Sequence, residues 1–192
     1  SSDLAFRWQD QTVFNENWVG SVDYNYVSDD YFIEDNLPQN IAGADNSQLL
    51  RKANVNYYGE HWTFQGLLQS YQTLHPVDQN SIDNQYARLP ELTFNADYPD
   101  QVKGLETTFT SQYDYFYMEK DPGDSSDPTT GNRFNVRPGV SLPNKTSYGY
   151  VTPTLQVDFT GYQLTAPEQG NPEHPTRTLP LFDVDSGLYF NR

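Results

Sequence analysis

From Pro180 to Phe190 the chain alternates without a slip. Pro180, Phe182, Val184, Ser186, Leu188 and Phe190 fall on one side, and Leu181, Asp183, Asp185, Gly187 and Tyr189 on the other. A β-strand sends successive side chains to opposite faces. One face here is mostly apolar, while the other carries two acids beside Leu181 and Tyr189. A soluble antiparallel sheet has this pattern, and so does a membrane-barrel wall with lipid on one side and water on the other.

Read at period two, the whole chain yields about nine such runs. They cover Leu4 to Val13, Trp18 to Val27, Leu49 to Tyr58, Trp62 to Tyr71, Tyr86 to Tyr98, Leu105 to Tyr117, Arg133 to Leu142, Tyr148 to Thr160 and the closing stretch. In the second run Trp18, Gly20, Val22, Tyr24 and Tyr26 oppose Val19, Ser21, Asp23 and Asn25. In the eighth, Val151, Pro153, Leu155, Val157 and Phe159 oppose Tyr150, Thr152, Thr154, Gln156 and Asp158.

The spacers alternate in length. Asn15 to Asn17, Gly59 to His61, Pro99 to Gly104 and Pro143 to Ser147 are short. Ser28 to Gln48, Gln72 to Gln85, Met118 to Asn132 and Gly161 to Arg177 are long. Short turns at one end and long loops at the other predict an antiparallel up-and-down meander of the outer-membrane barrel kind. Runs near the ~9–11 residues of a tilted spanning strand agree.

Trp18, Tyr57, Trp62, Tyr98 and Tyr148 lie beside the short turns, and Tyr26, Tyr71, Tyr86, Tyr113, Tyr115 and Tyr117 towards the long loops. Two belts of rings match two membrane interfaces; Trp and Tyr are also simply good strand formers. Pro90, Pro138 and Pro180 recur in runs that follow long loops. Proline cannot donate to a ladder, so each is expected near a strand start or an irregular point.

Composition narrows this further. Only 35% of residues are hydrophobic while 15% are aromatic, which favours strands over a helical bundle and argues against disorder. A mean hydropathy of -0.79 does not exclude a barrel, because only alternate residues meet lipid. No run approaches the ~20 apolar residues of a membrane helix. The opening Ser1-Ser2-Asp3-Leu4 has neither a basic nor an apolar leader region. The net charge of -15 makes nucleic acid an unsuitable partner. No cysteine is present, so neither disulfides nor thiolate metal sites enter.

The closing Leu179-Pro180-Leu181-Phe182-Asp183-Val184-Asp185-Ser186-Gly187-Leu188-Tyr189-Phe190 resembles a stretch of the LptD family of LPS-assembly proteins. Four other places carry the same resemblance. They are Phe14-Asn15-Glu16-Asn17-Trp18 with Val22-Asp23-Tyr24; Tyr71-Gln72-Thr73; Tyr86-Ala87-Arg88-Leu89-Pro90-Glu91-Leu92; and Val136-Arg137-Pro138-Gly139-Val140-Ser141-Leu142-Pro143. Asp183 departs from the family's usual small polar residue, and Asn191 from its common acid.

The resemblance implies that residues 1–192 are part of an outer-membrane β-barrel domain, lacking the family's N-terminal jelly-roll and its C-terminal strands. It implies translocation rather than catalysis: assembly of lipopolysaccharide into the outer leaflet, in the outer membrane of a Gram-negative bacterium. The implied partners are a lipoprotein plug, LptE, and, through regions outside this stretch, periplasmic bridge proteins. The lumen-facing candidates are Ser21, Asp23, Asn25, Lys52, Asn54, Asn56, Thr93, Asn95, Asp97, Thr108, Thr110, Gln112, Thr152, Thr154, Gln156, Asp183 and Asp185. The interface aromatics are Trp18, Trp62, Tyr98 and Tyr148.

Two other readings stay open from the residues alone: a soluble carbohydrate-binding β-sandwich, with the apolar face as its core, and a general porin. No catalytic constellation stands out. His61, His75 and His174 fall in or beside turns without metal-ligand spacing. Asp23, Asp97, Glu106, Asp114 and Asp158 alternate with apolar residues and read as water-facing wall positions. Asp121, Asp124 and Asp127 do not follow the EF-hand order, which leaves no resident cofactor and at most loose Ca²⁺ or Mg²⁺ at an acidic loop. Asn144-Lys145-Thr146 fits the glycosylation sequon, by coincidence in a short turn.

Overall fold

A computed structural model describes residues 4–28, 48–74, 85–120, 127–165 and 170–190. The strands are β1 (Ala5–Val13), β2 (Trp18–Val27), β3 (Gln48–Tyr58), β4 (Trp62–Thr73), β5 (Ala87–Val102), β6 (Leu105–Tyr117), β7 (Thr130–Ser141), β8 (Asn144–Lys145), β9 (Gly149–Thr165) and β10 (Thr176–Leu188). They form one 10-stranded sheet in the order β1-β2-β3-β4-β5-β6-β7-β9-β10, with β8 paired only to β9. Every pairing is antiparallel. The expected meander is therefore present, and β1 and β10 are its two edges.

Turn chemistry explains the tight end. Asn15 Oδ1 accepts from the backbone N of Asn17 at 2.9 Å and of Trp18 at 3.0 Å, folding the chain back after β1. Asn17 Nδ2 also donates to Tyr58 O at 2.6 Å, which ties this turn to the end of β3. Between Val102 and Leu105, Lys103 and Gly104 have φ of 54° and 79°. Left-handed φ at both central residues is what a two-residue hairpin matched to the strand twist requires.

Several strands outrun the hydrophobic alternation. β5 continues to Val102 instead of turning at Pro99, with a register shift between Tyr98 and Val102. β7 begins at Thr130 and β9 runs to Thr165, because those residues face one another across the ladder. β10 begins at Thr176, inside the expected Gly161 to Arg177 spacer, and pairs there with Gly161. Backbone hydrogen bonds, not side-chain hydrophobicity, carry these extensions. The expected turn at Pro143 to Ser147 contains β8, which pairs with Val151 and Tyr150.

Pro90 does lie at an irregular point, where the pairing of β5 shifts between Arg88 and Glu91. Pro180 is different: it sits inside regular pairing opposite Val157. Among the described residues the packed core is small. Val27, Leu49 and Leu74 are buried together near the long-connection end, with Ala5 against them. Elsewhere large apolar side chains stand open, among them Leu155, and Phe182 at 73%.

Candidate functional site

Strand register settles which residues share a face. Directly opposed residues in neighbouring strands point to the same side. Ser21 faces Asn54, Asp23 faces Lys52, and Val19 faces Asn56. Through Leu67, Gln65 and Thr63 of β4 this row continues to Glu91, Thr93 and Asn95 of β5. Thr93, Asn95 and Asp97 face Gln112, Thr110 and Thr108. Thr108 and Glu106 lead through Gly139 and Ser141 to Gln156 and Thr154, and Thr154 and Thr152 face Asp183 and Asp185. Asn25, two residues beyond Asp23, faces Arg7. Every residue read from the sequence as one polar face thus lies on one face.

That face is cross-linked by polar side chains. Gln9 Nε2 donates to Asp23 at 2.9 Å, Ser21 Oγ donates to Asn54 Oδ1, and Gln65 Nε2 donates to Asn56 at 2.9 Å. Asn25 Nδ2 donates to Leu50 O at 2.7 Å and to Asp23 at 3.1 Å. Asn135 is nearly buried; its Nδ2 donates to Asp158 and to Thr160 Oγ1, both at 2.8 Å.

Three ion pairs lie on the same side. Arg88 bonds Glu91 at 2.6 Å, Arg133 bonds Asp114 at 3.3 Å, and Arg137 Nε donates to Asp158 at 2.9 Å. Asp114 and Asp158, expected to be water-facing, lie on this polar face and are held there by arginines. Burying a carboxylate without a partner is costly, and the arginines supply the partners. Arg133, Asn135 and Arg137 alternate with Phe134, Val136 and Pro138, so their shared side follows from the same period that marks the apolar side of this strand.

The opposite face carries a continuous row of rings. Trp18 meets Tyr57 edge-on at 5.0 Å, and Tyr57 stacks on Trp62 at 4.1 Å. Trp62 lies 5.7 Å from Phe94, and Phe94 lies 6.1 Å from Phe109. One unbroken row thus crosses β2 to β6 at the short-turn end. Tyr98 stands beside the row, stacked on His61 at 5.2 Å. Tyr148 makes no ring contact among the described residues and is 69% exposed.

At the other end Arg51 lies over Tyr24 and Tyr26, 5.3 Å and 5.6 Å from their ring centres. Tyr71 is a correction to the second belt. It pairs with Leu50 on the polar face, where Gln69 donates to its hydroxyl at 2.6 Å. Between the two ends, Gly20, Ala53 and Gly66 floor an apolar trough of about 380 Å³, walled by Val22, Leu68 and Leu92.

A β-sandwich would cover the apolar face with a second sheet. The described strands all lie in one sheet, and that face stays open. His75, Asp121 and Asp124 lie outside the described residues; Asp127 is bonded by Lys120 at 3.1 Å. Within the sequon, Asn144 and Lys145 form β8, and Thr146 Oγ1 donates to Gly149 O at 3.0 Å.

Comparison with known proteins agrees with this geometry. The family model described as LptD, LPS transport system D, matches residues 2–192. The LPS-assembly protein LptD of Coxiella burnetii is 38% identical over 190 residues, covering 97% of this chain and 22% of the relative. That of Legionella pneumophila (strain Lens) is 34% identical over 194 residues, covering 97% of this chain and 23% of the relative. That of Azoarcus sp. (strain BH72) is 38% identical over 177 residues, covering 90% of this chain and 21% of the relative. The chain therefore spans less than a quarter of the length of these relatives. With an all-antiparallel meander of matching sequence over nearly its whole length, the chain belongs to the LptD family.

Proposed function

We propose that this chain forms part of the wall of an outer-membrane β-barrel that assembles lipopolysaccharide into the outer leaflet of a Gram-negative bacterium. The supporting observation is the two-faced sheet. One side is polar and cross-linked, and the other is apolar and open, with rings in a row at one end. Such a wall separates lipid from a wet interior. The relatives' name, LPS-assembly protein, supplies the cargo.

In this reading the polar face, from Ser21 and Asp23 to Asp183 and Asp185, borders the path of the sugar part. The acyl chains pass into the membrane. The role is passage, not catalysis. A lipoprotein plug, LptE, occupies the interior of the complete barrel, and periplasmic bridge proteins deliver the cargo through regions outside this stretch. Trp18, Trp62 and Tyr98 sit at the periplasmic interface, with Tyr148 in a turn beyond it. Any Ca²⁺ or Mg²⁺ is loosely held at the acidic connection that includes Asp127.

Site-directed labelling of the full-length protein in cells tests this. The stretch has no native cysteine. Single cysteines at Asp127 and Glu173 should react with an impermeant reagent in intact cells. Those at Glu60 and Asn144 should react only after the outer membrane is opened. Equal reactivity at both ends of the sheet would overturn the reading.

A further inference from the structure

On the polar face, β6, β7, β9 and β10 line a cavity of about 510 Å³. The chain carries 11 basic residues and a net charge of -15. Yet Arg133, Arg137 and Arg177 all line this one cavity, with Asp158 the sole acid among the described residues of its wall. Arg137 is held by Asp158 and Arg133 by Asp114. The side chain of Arg177 is exposed and makes no hydrogen bond or ion pair among the described residues. Its backbone pairs with Thr160, so it stands on the same face as Thr160 and Asn135.

An unpartnered guanidinium facing a concave polar surface is suited to an anion, and its planar fork matches a phosphate or a carboxylate. The rest of the wall is rich in hydroxyl and amide groups, including Thr110, Gln112 and Thr160. Those groups suit sugar hydroxyls. A docked protein would instead find the apolar centre of an interface missing. The volume lies within the range of roughly 300–1,000 Å³ typical of small-ligand sites.

We propose that this cavity binds an anionic sugar unit of the transported glycolipid. The anionic group sits on Arg177, the one arginine of the wall that no acid neutralises among the described residues, and the wall's hydroxyl and amide groups meet the sugar hydroxyls. The inference rests on the reading of the polar face as the sugar path.

The test uses the full-length protein with its assembly partners in cells. A photo-crosslinking residue is placed at Thr110 in the cavity, at Asn54 on the polar face away from it, and at Val157 on the opposite face. The expected result is a lipopolysaccharide adduct at Thr110 that falls about tenfold in Arg177→Glu, the loss of one charge-assisted contact. Arg177→Lys should keep most of it, and the Asn54 adduct should not change. Arg177→Gln, without charge reversal, serves if Arg177→Glu fails to assemble, and should show the same loss. Mass analysis of the adduct separates a phosphate-bearing from a carboxylate-bearing sugar.

An adduct at Asn54 with none at Thr110, or one at Thr110 indifferent to Arg177, overturns the cavity and leaves the sugar path standing. A protein adduct at Thr110 overturns it in favour of a docked partner. Adducts at Val157 alone overturn both.

Discussion

The side-chain amide of Gln72 takes both backbone groups of Val27. Its Nε2 donates to Val27 O at 2.8 Å, and its Oε1 accepts from Val27 N at 3.4 Å. Register between β2 and β3 stops at Tyr24 and Arg51, so the end of β2 has no further strand partner on that side. Gln72, from β4, takes the place of one. The same Oε1 accepts from Arg51 Nη2 at 2.6 Å.

Gln72→Ala should therefore leave Val27, which is 1% exposed, with two unpaired backbone groups. The expected loss is about 1–3 kcal/mol. Gln72→Glu should lose less, because a carboxylate still accepts from Val27 N and Arg51 but cannot donate to Val27 O. Urea midpoints of the full-length barrel in lipid vesicles would rank the variants, and an unchanged midpoint in Gln72→Ala would remove the pairing from the account.

Tyr57 and Trp62 stack at 4.1 Å across the Gly59 turn. A double-mutant cycle with Tyr57→Leu and Trp62→Leu should show a coupling of about 0.5–1.5 kcal/mol beyond the two single losses. Strict additivity would mean that the rings act separately, as interface anchors and not as a stacked pair.

Gly131 has no room for a side chain. A Cβ there would lie 2.2 Å from the carbonyl oxygen of Gln163 and 3.0 Å from Leu164 Cα, both backbone atoms of β9. Gly131→Ala is expected to cost about 1–3 kcal/mol by pushing β7 from β9. Gly104→Ala meets nothing within 4 Å. Its φ of 79° makes it the smaller perturbation, at about 1 kcal/mol. Equal midpoints for the two alanine variants would contradict this order.

Val157 lies near the middle of β9 on the apolar face, and Thr154 lies on the polar face opposite Asp183. With lipid against the apolar side, Val157→Arg should destabilise the inserted barrel by about 2–4 kcal/mol. Thr154→Arg, beside an acid and facing water, should be close to neutral. Comparing folded yield in vesicles measures the difference. Similar yields would show that the apolar face does not meet lipid.

Much of this was legible in the residues because a strand repeats every two positions. Trp18 to Val27 and Leu105 to Tyr117 have the same bounds in the alternation and in the fold, since the alternation begins and ends with the strand. The ends of β5, β7, β9 and β10 were not legible, because there the ladder continues through residues with no apolar partner to announce them. The nearness of Tyr71 to a loop says nothing about which face its ring is on. The cavity around Arg177 is not legible in the sequence for another reason. Arg133 and Arg137 share one side of β7, but Arg177 is far along the chain and joins them only because β9 lies between β7 and β10.

By itself the sequence determined that the chain is a meander, and which side chains share a side of each strand, because both follow from local period and spacer length. The tertiary structure decided what touches what. Gln72 reaches Val27 across 45 positions, and Asn135 reaches Asp158 across 23. Alternation tells a strand which way its residues point. Only cross-strand stagger, set by backbone pairing and turn geometry, determines which neighbour each one meets.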